Sequence, residues 1–149
     1  AQMATFTLDV VTQSVKICNG ITKIDTAKAA SENEVLKCVE NTLIILQYIN
    51  SKEKFSLGLH PFIYFYSDIG KHKIGSYYGI LQFVKYLVEH KKLNCFIEVR
   101  EKFEQFIYQY SFLVQQIIRK YRQSKKAYSC VKDYFLNVMK IRNIQLRML

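Results

Sequence analysis

Apolar residues recur at three- and four-residue steps along most of this chain, the period of helices packed on one side. Leu8, Val11, Val15 and Cys18 predict a first helix from about Thr5 to Cys18, with Gly20 placed to end it. Ile21 to Ala30 is mixed and reads as a loop. Ser31-Glu32-Asn33-Glu34 has the form of a capping box, in which the Ser and Glu side chains satisfy each other's orphan backbone donors. Behind it, Val35, Val39, Leu43, Leu46 and Ile49 predict the inner face of a helix ending near Asn50.

The segment Phe55 to Tyr66 is apolar on all sides, and periodicity alone does not tell a buried strand from a buried helix there. Pro61 suits the first turn of a helix, where its missing N–H costs nothing, and predicts a short helix from Pro61 to about Ser67. Asp68 to Gly75 reads as a basic loop. Ser76 is placed to cap a further helix with Ile80, Phe83, Val84, Leu87 and Val88 inward, fraying at His90-Lys91-Lys92, a basic end that suits the helix dipole. In the last third, Phe96, Val99, Phe103, Phe106, Tyr110, Leu113 and Ile117 step 3-4-3-4-3-4, the seam of a long amphipathic bundle helix. The same register reaches Ala127, Val131, Tyr134, Val138, Ile141 and Met148. One helix over the whole span would be about 80 Å long, so a break is expected between Arg122 and Lys126. The expectation is an all-α helical bundle of five or six helices in a single domain, residues 1–149.

Composition narrows the class further. With 149 residues, 50% hydrophobic, 5 Gly and 1 Pro, the chain is neither disordered nor collagen-like, and it is too poor in turn residues for an all-β fold. No apolar run approaches the ~20 residues that span a bilayer, and the first ten residues lack a signal-peptide pattern. The missing initiator Met suggests a fragment. Cys18, Cys38, Cys95 and Cys130 show no C-x-x-C spacing and read as reduced thiols, which suits a cytoplasmic protein.

Charge changes the picture more. The net charge is +10, but nine of the 22 bases and one of the 12 acids fall from Arg119 onward, leaving the first 118 residues near neutral. On an unbroken helical wheel, Arg119, Arg122, Lys125, Lys126, Lys132, Lys140 and Arg147 share an arc of about 140°. Solvated helices ordinarily mix both signs. A face of one sign attracts a DNA or RNA backbone, or an acidic protein surface. Lys71, His72 and Lys73 are candidate phosphate contacts in the loop.

A catalytic set is not evident. His60 precedes Pro61 and reads as a helix cap. His72 lies in a basic loop, and His90 ends a basic helix. No Arg is followed four to six residues later by His, as the helical HEPN ribonuclease pattern requires. The P-loop, H-E-x-x-H and G-x-S-x-G patterns are absent, and no metal or cofactor site is expected. Glu98, Glu101 and Glu104 read as the wet side of a helix. Tyr108 and Tyr128 are candidates for exposure.

The stretch Ser56-Leu57-Gly58-Leu59-His60-Pro61-Phe62-Ile63-Tyr64-Phe65-Tyr66-Ser67, followed by Gly70-Lys71-His72, resembles the helical region after the nuclease domain of GmrSD-like bacterial defence proteins, which carry a ParB/sulfiredoxin-like fold. The likeness covers about Val35 to Leu87. The family's D-G-Q-x-R catalytic motif and its H-N-H nuclease have no counterpart here. The resemblance therefore implies a helical accessory part of a DNA-handling defence protein, with any catalytic domain outside this chain. The alternative is a helical protein–protein interaction or oligomerisation domain that makes no nucleic-acid contact.

Overall fold

The computed structural model describes residues 2–21, 31–67, 69–122 and 125–148, with side chains from residue 5. They form two compact units, Ala1–Gly58 and Leu59–Leu149. Seven helices and no strand are found among the described residues, so the chain is all-α.

The first unit pairs α1 (Gln2–Cys18) with α2 (Glu32–Ile49). The capping box forms as the sequence requires: the Glu34 N–H donates to Ser31 Oγ, and the Ser31 N–H to Glu34 Oε2. Gly20 follows α1 with φ +65, the left-handed conformation in which glycine carries no Cβ penalty. The face of α2 differs from the expected one. Thr42, Ile45 and Ile49 are buried, whereas Val35, Val39 and Leu43 are exposed. Asn19, just after α1, decides this. Its amide donates to the Cys38 carbonyl at 2.9 Å and to Thr42 Oγ1 at 3.2 Å, holding the Cys38–Thr42 side of α2 against α1. Because α2 is apolar on several sides, periodicity admitted more than one inner face. On α1, Cys18 is buried as expected, but Leu8 and Val11 are exposed. The loop read at Ile21 to Ala30 lies, apart from Ile21, outside the described residues.

The second unit contains α3 (Pro61–Tyr64), α4 (Ile74–Glu89), α5 (Leu93–Gln109), α6 (Phe112–Lys120) and α7 (Lys125–Arg147). At α3, Pro61 takes the first position and His60 Nδ1 accepts the Phe62 N–H at 3.3 Å, so His60 is the cap that the sequence suggested. Ser76 is not a cap. The α4 helix already starts at Ile74, and Ser76 Oγ instead donates to the Tyr64 carbonyl at 2.8 Å. The inner face of α4 follows its sequence pattern, with Ile80, Phe83, Val84 and Leu87 at 0% exposure. Phe83 meets Phe96, Phe103 and Phe135 with ring centroids 5.4–5.7 Å apart. Gly79 lets α4 approach α7 closely, since a Cβ there would overlap the Val131 side chain.

Two breaks shape the last third. One lies between the end of α6 at Lys120 and the start of α7 at Lys125, overlapping the Arg122–Lys126 stretch where the sequence expects it, and Arg122 takes φ +52 there. The other, at Tyr110–Ser111, splits the long helix expected from Phe96 to Ile117 and raises the count from the expected five or six. No Gly or Pro marks it. The seam also drifts. Phe96, Val99 and Phe103 are buried as expected, but Ile107, Val114 and Ile118 continue the core in place of Phe106, Tyr110, Leu113 and Ile117. Leu113 and Ile117 lie on α6, beyond the break, so the register carried from Phe96 and Phe103 on α5 does not reach them. Phe135 and Met139 are buried on α7, while Ile141 and Met148 are exposed.

Candidate functional site

The α7 helix buries Ala127, Val131, Phe135 and Val138 against the unit's core. At 3.6 residues per turn, Lys125, Lys126, Lys132, Lys140 and Arg147 then share an arc of about 120° on the other side. Arg119 and Arg122 do not continue this arc. The first lies on α6 and the second in the left-handed turn after it, so the single-helix wheel that joined all seven bases is interrupted. Arg119 and Arg122 are exposed. Beside that turn, Lys120 and Lys126 stand 5.5 and 5.0 Å from the Tyr121 ring centre, a cation–π arrangement that gathers positive charge around an aromatic side chain.

A groove of about 490 Å³ runs along the basic side of α7. Lys140, Arg147, Asn137 and Asn143 line it from α7, Lys92 and Cys95 from the first turn of α5 and its cap, and Tyr86 from α4; no acidic residue is among its lining. Three cations therefore border one concavity, together with amides able to donate to phosphate oxygens. Lys132 extends the face, with its Nζ 5.9 Å from the Tyr86 ring centre. His90 stacks on the same ring at 3.9 Å. Lys132 also lies 3.5 Å from Asp133, which is well exposed, and such a pair is too screened to neutralise the face. Arg142 is excluded from this surface. It sits over the Phe106 ring at 5.0 Å and donates to Gln145 Oε1 at 2.7 Å. By sequence Lys92 reads as part of a basic helix end, and only the packing of α5 against α7 brings it to the same groove as Lys140.

Lys71, His72 and Lys73 line a second cleft, of about 400 Å³. Their loop is tightly held: Tyr66 and His72 form an isolated antiparallel bridge, and the Lys73 N–H donates to the Phe65 carbonyl at 2.8 Å. Asp68 in the same loop lies outside the described residues. The walls are aromatic, comprising Phe62 and Tyr66 on one side and Tyr108 and Phe112 across the α5–α6 break. Tyr108 is exposed as anticipated, but Tyr128 is buried against Tyr78.

Glu104 is not on the wet side of its helix. It accepts from Tyr64 Oη at 2.9 Å and Arg100 Nε at 2.7 Å, tying α3 to α5. Burial, reinforced by the Glu104 charge, holds the Tyr64 hydroxyl far above its ordinary range and therefore protonated. Each imidazole has a local role: His60 caps α3, His72 packs on Tyr66 at 4.8 Å, and His90 packs on Tyr86. Among the described residues no cluster of three His, Cys, Asp or Glu could hold a metal ion, and no helix is long and apolar enough to cross a membrane. Compared with known proteins, the chain matches no family model, no curated protein and no solved structure.

Proposed function

We propose that this chain is a helical nucleic-acid-binding or nuclease-accessory module, without a reaction of its own, that holds a phosphate backbone on the basic face of α7. The observation that carries this reading is the groove in which Lys92, Lys140 and Arg147 converge with no acid among the lining residues. Cations gathered without counter-charges release condensed counterions when they meet a polyanion, and that release drives binding. Lys132, Lys125 and Lys126 extend the track along α7, while Arg119 and Arg122 add charge at the preceding turn. The resemblance around His60-Pro61 supports a setting in a bacterial DNA-handling defence protein. Thiols at Cys38, Cys95 and Cys130 fit a reducing cytoplasm.

The test is fluorescence anisotropy of a labelled random duplex with the full chain and with Lys140→Glu/Arg147→Glu. Loss of two phosphate contacts should weaken binding on the order of 10- to 100-fold near 0.1 M salt. Unlabelled duplex should compete, and polyglutamate of equal charge should compete poorly. Stronger competition by polyglutamate would assign the face to an acidic protein.

A second reading has its own observation. In the first unit, Leu8, Val11, Val35, Leu36 and Leu43 are each at least half exposed, more neighbouring apolar surface than a solvated helix pair ordinarily shows. This supports a role in protein–protein interaction or self-association. Sedimentation at increasing concentration checks it, with a constant monomer mass counting against self-association.

A further inference from the structure

The cleft at the Tyr66–His72 bridge combines aromatic walls with a cationic rim. Its walls are aromatic and exposed, with Phe62 at 66%, Tyr108 at 61% and Phe112 at 53%. Its rim carries Lys71 and Lys73, and no acid is found among its described lining residues. The volume of about 400 Å³ falls within the range of small-molecule and nucleotide pockets, roughly 300–1,000 Å³.

The rings on the Phe62–Tyr66 side are packed on one another in the structure. Pro61 fixes the first φ of α3 and His60 caps its end, which sets Phe62, and the His60 ring stacks on it at 5.8 Å. Tyr66 lies 6.2 Å beyond Phe62, and His72 packs on Tyr66 at 4.8 Å. The sequence His60, Phe62, Tyr66, His72 is thus a continuous row of rings. The backbone bridge and the hydrogen bond from the Lys73 N–H to the Phe65 carbonyl fix its far end. Side chains already packed on one another lose little entropy on binding.

We infer that this cleft takes an unpaired base of a single-stranded nucleic acid, stacked against Phe62 and Tyr108, with Lys71 and Lys73 on the neighbouring phosphates. The inference rests on the proposed nucleic-acid reading and specifies its substrate. In a duplex the base faces are already stacked on one another, so only an unpaired base offers a face to a side-chain ring. The cationic rim favours a phosphate-bearing strand over an apolar peptide. On this view α7 supplies backbone attraction common to all nucleic acids, and the cleft supplies preference for strands that are open.

The test uses the full chain, a labelled single strand carrying 2-aminopurine and a duplex of the same length. Wild type should bind the single strand at least tenfold tighter than the duplex and quench 2-aminopurine on binding. Phe62→Ala/Tyr108→Ala should weaken single-strand binding about 5- to 150-fold, the range for losing one stacked base, and leave duplex binding unchanged. Phe62→Leu, which keeps an apolar side chain but removes the ring, should lose most of the quenching; circular dichroism verifies that each variant is folded. Equal affinity for both nucleic acids, with no quenching and no effect of these variants, would overturn the cleft assignment and leave the α7 reading intact. Binding of neither nucleic acid at low salt would overturn both.

Discussion

The second unit contains two aromatic clusters of similar size and opposite fate. Phe83, Phe96, Phe103 and Phe135 are at most 1% exposed, whereas Phe62, Tyr108 and Phe112 are more than half exposed. The difference lies in the elements that carry them. The first cluster sits on α4, α5 and α7, long helices that pack on one another along their lengths. The second sits on the four-residue α3 and on either side of the α5–α6 break, where one side of each element is packed, as Tyr64 on α3 is, and the other stays open to solvent. Aromatic area that is buried holds the fold, and aromatic area left wet remains available to a ligand.

Substitutions should separate the two clusters by size of effect. Phe103→Ala should cost about 3–5 kcal/mol of stability, as expected for a fully packed ring, measured by urea denaturation. A loss below 1 kcal/mol would mean that the buried cluster is not the core's centre. Gly79→Ala should come next, because the added methyl group meets the Val131 side chain. Overpacking costs about 1–3 kcal/mol, partly offset by the roughly 0.5–1 kcal/mol that alanine gains over glycine in a helix, so the melting temperature should fall. A rise would contradict the close approach of α4 to α7. His60→Ala should cost about 0.5–2 kcal/mol through the lost α3 cap, and Asn at this position should restore part of it. Phe62→Ala should change stability by no more than about 0.5 kcal/mol despite removing a whole ring. A loss comparable to that of Phe103→Ala would erase the distinction between the clusters.

The sequence made the helical class and much of the second unit's core legible, and the reason is visible in α4. It is apolar around most of its circumference and is buried on most sides, Tyr78 and Leu81 included, so Ile80, Phe83, Val84 and Leu87 are legible from hydrophobicity alone. The α2 helix is apolar on several sides, and the deciding contact comes from Asn19, whose side-chain bonds are invisible to periodicity. The α5–α6 break has no Gly or Pro to announce it, and a heptad register carried from Phe103 does not survive it. At the candidate surface, five bases of α7 could be grouped because one helix carries them. Lys92 could not, since only tertiary packing brings it to the groove. Arg119 and Arg122 lie on α6 and in a turn that is left-handed at Arg122, which a wheel drawn as one unbroken helix does not show.

The most direct measurement is the salt dependence of duplex binding, comparing wild type with Lys140→Glu/Arg147→Glu. Log affinity against log salt should be linear for the wild type, falling by about 0.9 for each phosphate neutralised. In the variant the slope should be shallower by roughly two contacts' worth, with the loss equal for all duplex sequences because phosphate contacts carry no sequence information. Identical slopes for the two proteins, or no duplex binding by the wild type at low salt, would contradict the assignment of the α7 face to a phosphate backbone.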